Sequence, residues 1–200
     1  MSRDSFDSII LAGGRSSRFG DDKCAFEIDN RTMLERVLDA LEDPVVVSDR
    51  QRKISKGRLI LDRELRGPVR AIAQALPLLK ANRVFITGCD FPFLKPEIPW
   101  RLCTRPEKIA LVLSCGKPQP LMACYELSLL SETLGMVASL QELITVSPSI
   151  YLLGYRELEM LDPTFLSLVN VNSIKDLFRP KVREFWHTRI YSNTKNFIVL

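Results

Sequence analysis

Histidine is almost missing from this chain: His187 is the single one among 200 residues. That excludes metal sites built from histidine clusters, and any Ser-His-Asp or Cys-His mechanism would hang on one residue near the C-terminus. The five cysteines, at 24, 89, 103, 115 and 124, include no two within four residues of each other. Zinc-type pairs are thereby absent, and reduced, buried or half-buried thiols are expected. No apolar run approaches the roughly 20 residues of a membrane span. The opening segment, Met1 to Asp7, is too polar for a signal peptide. The expected location is the cytoplasm, with no membrane partner. Basic residues nowhere interleave with aromatics over a long stretch, so nucleic acid is not an expected partner either.

Two phosphate-binding motifs are missing as well. A P-loop needs four residues between its glycines and Lys-Ser/Thr directly after the second. Here Gly14 and Gly20 are separated by five residues, and Asp21-Asp22 come before Lys23. A dinucleotide fingerprint needs a spacer between its first two glycines, whereas Gly13 and Gly14 are adjacent.

What is present is an apolar run, Ile9 to Ala12, that leads straight into Gly13-Gly14, two serines, Arg15, Arg18, Gly20 and Lys23. Glycines let backbone amides approach an anion closely, and the cations add charge that amides lack. A triphosphate asks for that combination. The net charge of +4 lies partly in clusters at 50–56 and 179–189. Those clusters read either as solvated surface or as attraction for a polyanionic small molecule.

Apolar content of 46% and charged content of 26% describe a globular chain long enough to bury a core. Strand-like runs at 9–12, 44–48, 59–62, 84–87 and 109–113 alternate with helical stripes at 33–41, 69–79 and 126–135. Thr32 with Glu35 forms a capping-box pattern, and Pro68 suits a first helical turn. Leu168-Val169-Asn170-Val171-Asn172 reads as a late strand with both asparagines on one face, and Ser173 can cap a short helix through Phe178. Strand and helix in alternation specify an α/β protein with a mainly parallel sheet, which binds ligands beyond the carboxyl ends of its strands.

The residues after those strands are therefore the candidates. Asp90, between Gly88 and Pro92, is placed like a Mg²⁺ ligand or like the cap of its own turn. Asp62 follows another strand and either pairs with a neighbouring arginine or accepts hydrogen bonds from a base or sugar. Ser48-Asp49 and Gly67-Pro68 follow the second and third strands. Lys117 and Gln119-Pro120 read either as a turn or as part of a site.

Leu11-Ala12-Gly13-Gly14-x-Ser16-x-Arg18-Phe19-Gly20-x-Asp22-Lys23 resembles the signature of the molybdenum cofactor guanylyltransferases. Gly67-Pro68, Gly88-Cys89-Asp90-x-Pro92 and Asn170-x-Asn172-Ser173 resemble that family's later motifs, in the same order. The resemblance implies a Rossmann-like three-layer α/β/α sandwich over residues 1–178, with 179–200 as a C-terminal appendage. It implies GMP transfer from GTP to the terminal phosphate of molybdopterin, with Mg²⁺ as cofactor and molybdoenzyme maturation proteins as possible partners. Leu11, Ala12, Gly13, Gly14, Ser48, Asp62, Gly67 and Pro68 would bind the nucleotide. Lys23, Arg18 and Asp90 would act on the phosphates, Asp90 also holding the metal. Asn170 and Asn172 would lie near pterin or metal. Departures from the pattern are Phe19 for Met, Ser48-Asp49 for Asn, Gln119-Pro120-Leu121 for a His-Pro-Thr-like segment, and Ser173-Ile174 for Thr-Pro. Two other readings stay open: a transferase using CTP or another phosphorylated acceptor, and a nucleotide-binding regulator without turnover.

Overall fold

The structure, a computed structural model, describes residues 5–13, 22–178 and 197–198. Its elements run β1 (Asp7–Leu11), β2 (Glu27–Ile28), β3 (Arg31–Thr32), α1 (Met33–Asp39), β4 (Val45–Ser48), β5 (Arg58–Leu61), α2 (Pro68–Ala75), β6 (Arg83–Gly88), α3 (Glu97–Cys103), β7 (Ile109–Ser114), β8 (Lys117–Glu126), α4 (Leu127–Thr133), α5 (Leu140–Val146), β9 (Ile150–Leu153), α6 (Tyr155–Leu161), α7 (Ile174–Phe178) and β10 (Phe197–Ile198).

One eight-stranded sheet, in the order β10-β9-β7-β8-β6-β1-β4-β5, carries the fold, and β2 and β3 form a separate hairpin. Only β8 runs antiparallel to its neighbours, so the sheet is mainly parallel as expected. Successive side chains of a strand point to opposite faces. Ile10, Val46 and Phe85 accordingly pack with α1, α3 and α6 through Val37, Leu38, Ile98, Leu102 and Leu158. Ile9, Val45, Val47 and Ile86 pack on the other face with α2, α4 and α5 through Ile72, Leu130, Leu143 and Ile144. Apolar residues on both faces require helices on both faces, which makes the three-layer sandwich.

Local signals hold where they are strong. Thr32 Oγ1 accepts from Glu35 N while Glu35 reaches back to Thr32 N, completing the capping box of α1. Gly67 precedes α2 at φ 91°, a backbone angle suited to glycine, and Pro68 opens the helix.

Three expectations are corrected. Residues 168–172 are not a strand: a single 3₁₀ turn covers Leu166–Leu168, and Val171 N donates to Asp90 O at 2.8 Å rather than to a ladder. Residues 117–120 are not merely a turn but open the ten-residue β8. The buried cysteines are not thiols, since Cys24–Cys89 and Cys103–Cys124 are disulfides.

The order of the sheet reverses at β1. The chain leaves β1, crosses by α1 to β4, continues outward to β5, then returns by α2 to β6 on the other side of β1. Loops leaving β1 and β6 therefore diverge, the point at which open α/β sheets bind ligands beyond their carboxyl ends.

Candidate active site

Four adjacent parallel strands, β6, β1, β4 and β5, end side by side, and their next residues are Cys89-Asp90, Ala12-Gly13, Asp49 and Asp62. Backbone bonds weld this edge: Cys89 N to Leu11 O at 3.1 Å, Ala12 N to Val47 O at 2.8 Å, and Asp62 N to Ser48 O at 2.8 Å. Gly13 lies where the β1 and β4 ends approach closely, so that a Cβ there would stand 3.1 Å from Asp49 N, tighter than an ordinary contact.

Lys23 begins a single 3₁₀ turn, Lys23–Ala25, capped by Asp22 through its bond from Cys24 N. Lys23 Nζ lies 3.1 Å from Asp90 Oδ2 and 3.4 Å from Asn172 Oδ1. The next residue, Cys24, is joined to Cys89, the residue before Asp90. Asn172 Nδ2 donates to Asn170 Oδ1 at 2.6 Å. Val169 and Val171 are buried against Met33, which leaves the two asparagines exposed, Asn172 reaching Lys23 and Asn170 bonded to Asn172. Lys23, Asp90, Asn170 and Asn172 thus form one cluster from three distant parts of the chain.

Asp90 owes its pose to Gly88: a Cβ at 88 would fall 2.2 Å from Asp90 Oδ1. No group of three or more His, Cys, Asp or Glu residues suited to a metal occurs among the described residues. The donor set is one carboxylate plus the amide oxygens of Asn170 and Asn172. That all-oxygen set fits Mg²⁺, which takes one or two carboxylates and fills its shell with phosphate oxygens and water. The Lys23 ammonium bridges two of these oxygens, Asp90 Oδ2 and Asn172 Oδ1.

Beside this cluster, Ala12, Gly13, Asp22, Lys23, Cys24, Asp49, Arg50 and Arg52 line a small hollow. Ser48 is fully buried, and its hydroxyl donates to Ala12 O at 3.2 Å. Burial works against ionisation of Asp49, but hydrogen bonds and charge from Arg50 and Arg52 outweigh it and hold the carboxyl below its ordinary range.

Asp62 is 7% exposed, and its Oδ1 accepts from Glu64 N, Leu65 N and Gln74 Nε2. The carboxylate shapes the loop that leads to Gly67-Pro68, one strand further from Lys23. Gly14 and Arg18 lie outside the described residues, as do residues 179–196 of the expected appendage. Lys117 and Gln119 are on β8, where Gln119 Nε2 bonds Lys117 O.

Sequence reasoning missed Arg52, the Cys24–Cys89 pair and Gln74. Arg52 belongs to a basic run that reads either as solvated surface or as attraction for a polyanion, and its side chain is only 8% exposed. Nothing in the local pattern distinguishes it from its exposed neighbour Arg50.

A family model described as a MobA-like NTP transferase domain matches residues 8–146. The chain is 30% identical to a probable molybdenum cofactor guanylyltransferase of Halalkalibacterium halodurans, over 84% of this chain and 94% of that one. It is 28% identical to a molybdenum cofactor guanylyltransferase of Desulfosudis oleivorans, over 87% and 93%. Among solved structures it is similar in fold to molybdopterin-guanine dinucleotide biosynthesis protein A from Archaeoglobus fulgidus. The TM-score there is 0.71, with 21% identity and coverage of 90% and 97%.

Proposed function

The chain belongs to the MobA-like NTP transferase domain family, and from that premise we propose that it transfers GMP from GTP to the terminal phosphate of molybdopterin, releasing pyrophosphate. The observation that carries this reading is the Lys23–Asp90–Asn172 cluster beyond the carboxyl ends of β1 and β6. Its relatives' names support guanylyl transfer as the chemistry.

The nucleophile is a phosphate oxygen, already anionic near neutral pH, so no general base is needed. A chain with one histidine, and with no imidazole in the described cluster, suits such a reaction. The acceptor oxygen attacks the α-phosphorus of GTP, and the bond from that phosphorus to the bridging oxygen of pyrophosphate breaks. Catalysis then consists of positioning and of neutralising charge. Leu11, Ala12 and Gly13 offer backbone to the nucleotide. Asp62 presents the oxygen not used in its own loop, and Gly67 and Pro68 bound the far side. Lys23 neutralises the phosphates; Arg18 adds a second cation. Asp90, with Asn170 and Asn172, would hold Mg²⁺, which when bound supplies charge stabilisation on phosphate oxygens. Among the described residues no helix is long and apolar enough to cross a membrane; the reading places the reaction in the cytoplasm, with molybdoenzyme maturation proteins taking the product.

The deciding experiment is titration with GTP, CTP and ATP in Mg²⁺, followed by a pyrophosphate-release assay with molybdopterin. Preference for GTP and release of pyrophosphate only with acceptor are expected. Preference for CTP, or binding without turnover, overturns the reading.

A further inference from the structure

Arg52 lies in none of the motifs that point to the site, yet its guanidinium is buried among the segments that build it. It donates to Ser48 Oγ at 2.7 Å, to Asp49 Oδ1 at 3.2 Å and to Asp22 Oδ2. Each acceptor holds part of the nucleotide edge. Asp22 Oδ1 caps the turn that presents Lys23. Ser48 Oγ donates to Ala12 O, at the entrance to the glycine loop. The backbone of Asp49 lies against Gly13. One side chain therefore fastens the Lys23 turn to the ends of β1 and β4.

Charge adds a second reason. Two carboxylates, Asp22 and Asp49, line the hollow beside Lys23. Unpaired, they would repel a triphosphate, and burial leaves little solvent to screen them. Arg52 bonds both. Only the planar fork of arginine, with five donors in fixed directions, serves three acceptors at once; a lysine ammonium is a point charge on a flexible stem.

We propose that Arg52 is a positioning residue for nucleotide binding, which sets the Lys23 turn against the ends of β1 and β4 and, with the more exposed Arg50, cancels the charge of Asp22 and Asp49. The proposal rests on Lys23 being a phosphate ligand.

The test compares Arg52→Gln, Arg52→Lys, Asp22→Asn and the Asp22→Asn/Arg52→Gln double variant by GTP titration and steady-state kinetics, with thermal unfolding alongside. Arg52→Gln is expected to weaken GTP binding by about 10- to 100-fold while kcat at saturation stays within about threefold. Arg52→Lys should recover part of the affinity. In the Asp22→Asn background, Arg52→Gln should cost less than in the parent, because the repelling carboxylate is gone. Unchanged affinity in Arg52→Gln, or strictly additive effects in the double variant, overturns the proposal. If Arg52→Gln does not fold, Arg52→Lys against Asp22→Asn carries the same comparison. Lys23→Met separates the two levels. Loss of binding there, with parent-like Arg52→Gln, defeats only the positioning role. Parent-like binding in Lys23→Met defeats the reading of Lys23 itself.

Discussion

Lys23 and Asp90 are 67 residues apart in sequence, yet their side chains form an ion pair at 3.1 Å with little solvent access, 19% and 13%. Both sit one residue from a cysteine of the same disulfide. The pair is the centre from which the effects of substitution are expected to spread.

Removing either partner should abolish useful turnover by different routes. Asp90→Ala removes the one carboxylate of the cluster, and Lys23→Met removes the cation. Each is expected to lower kcat/KM by about 10²- to 10³-fold. Pyrophosphate release measured over a range of GTP concentrations checks this. Parent-like rates in either variant would remove that residue from the chemistry.

Gly88→Ala is a test of geometry without a change of charge. The added Cβ would meet Asp90 Oδ1 at 2.2 Å, and a side-chain oxygen can move aside at small cost to the fold. The displaced carboxylate should lower activity about 10²-fold. The unfolding temperature should hardly change. A large fall in stability with activity retained would contradict the pose assigned to Asp90.

The disulfides should matter for stability in proportion to the chain they close. Cys24–Cys89 spans 65 positions and Cys103–Cys124 spans 21. On a chain-entropy basis, replacing Cys24 and Cys89 by alanine should cost about 4 kcal/mol, and replacing Cys103 and Cys124 about 3 kcal/mol. Urea midpoints with and without reductant measure both. A midpoint indifferent to reductant would count against either bond in the folded protein.

Asp162 predicts the acid behaviour. It is fully buried, accepts from Thr164 N, Thr164 Oγ1 and Ser167 N, and pairs with Lys95 at 3.0 Å. Burial opposes its ionisation, but these donors prevail and its carboxyl titrates below the ordinary range. A depressed folded-state pKa adds stability that is present above the ordinary carboxyl value, about 4, and is lost as pH falls through the folded value. Asp162→Asn should therefore cost about 1.5 to 3 kcal/mol near neutral pH and less in acid. Urea midpoints at neutral and acid pH give the comparison; an equal loss at both would rule out an ionised Asp162.

The sandwich was legible because its strands carry the pattern themselves: Val45–Val47 and Val84–Ile86 are apolar on both sides, as a sheet covered by helices demands. β8 was not. Pro118 and Pro120 argue against an interior strand, but β6 pairs only with residues 122–126, so the prolines lie where β8 has a single neighbour. Residues 168–172 alternate like a strand, and Val169 and Val171 do point inward. They bury beside Met33 without joining the sheet. Periodicity reports which face is buried, not what pairs with the backbone.

The sequence by itself determined the α/β class, the caps of α1 and α2, and the candidates Gly13, Lys23, Asp62, Asp90, Asn170 and Asn172. Those features depend on residues adjacent in the chain, such as a glycine at a strand end, an acid after a strand, or a proline at a first helical turn. Tertiary structure alone decided which candidates meet. Lys23 reaches Asp90 and Asn172, Asp62 turns to its own loop, and Arg52 lies inward while Arg50 stays out. Hydrogen bonds and charge act over a few ångströms, and only the folded chain brings residues as distant in sequence as Lys23, Asp90 and Asn172 within that range.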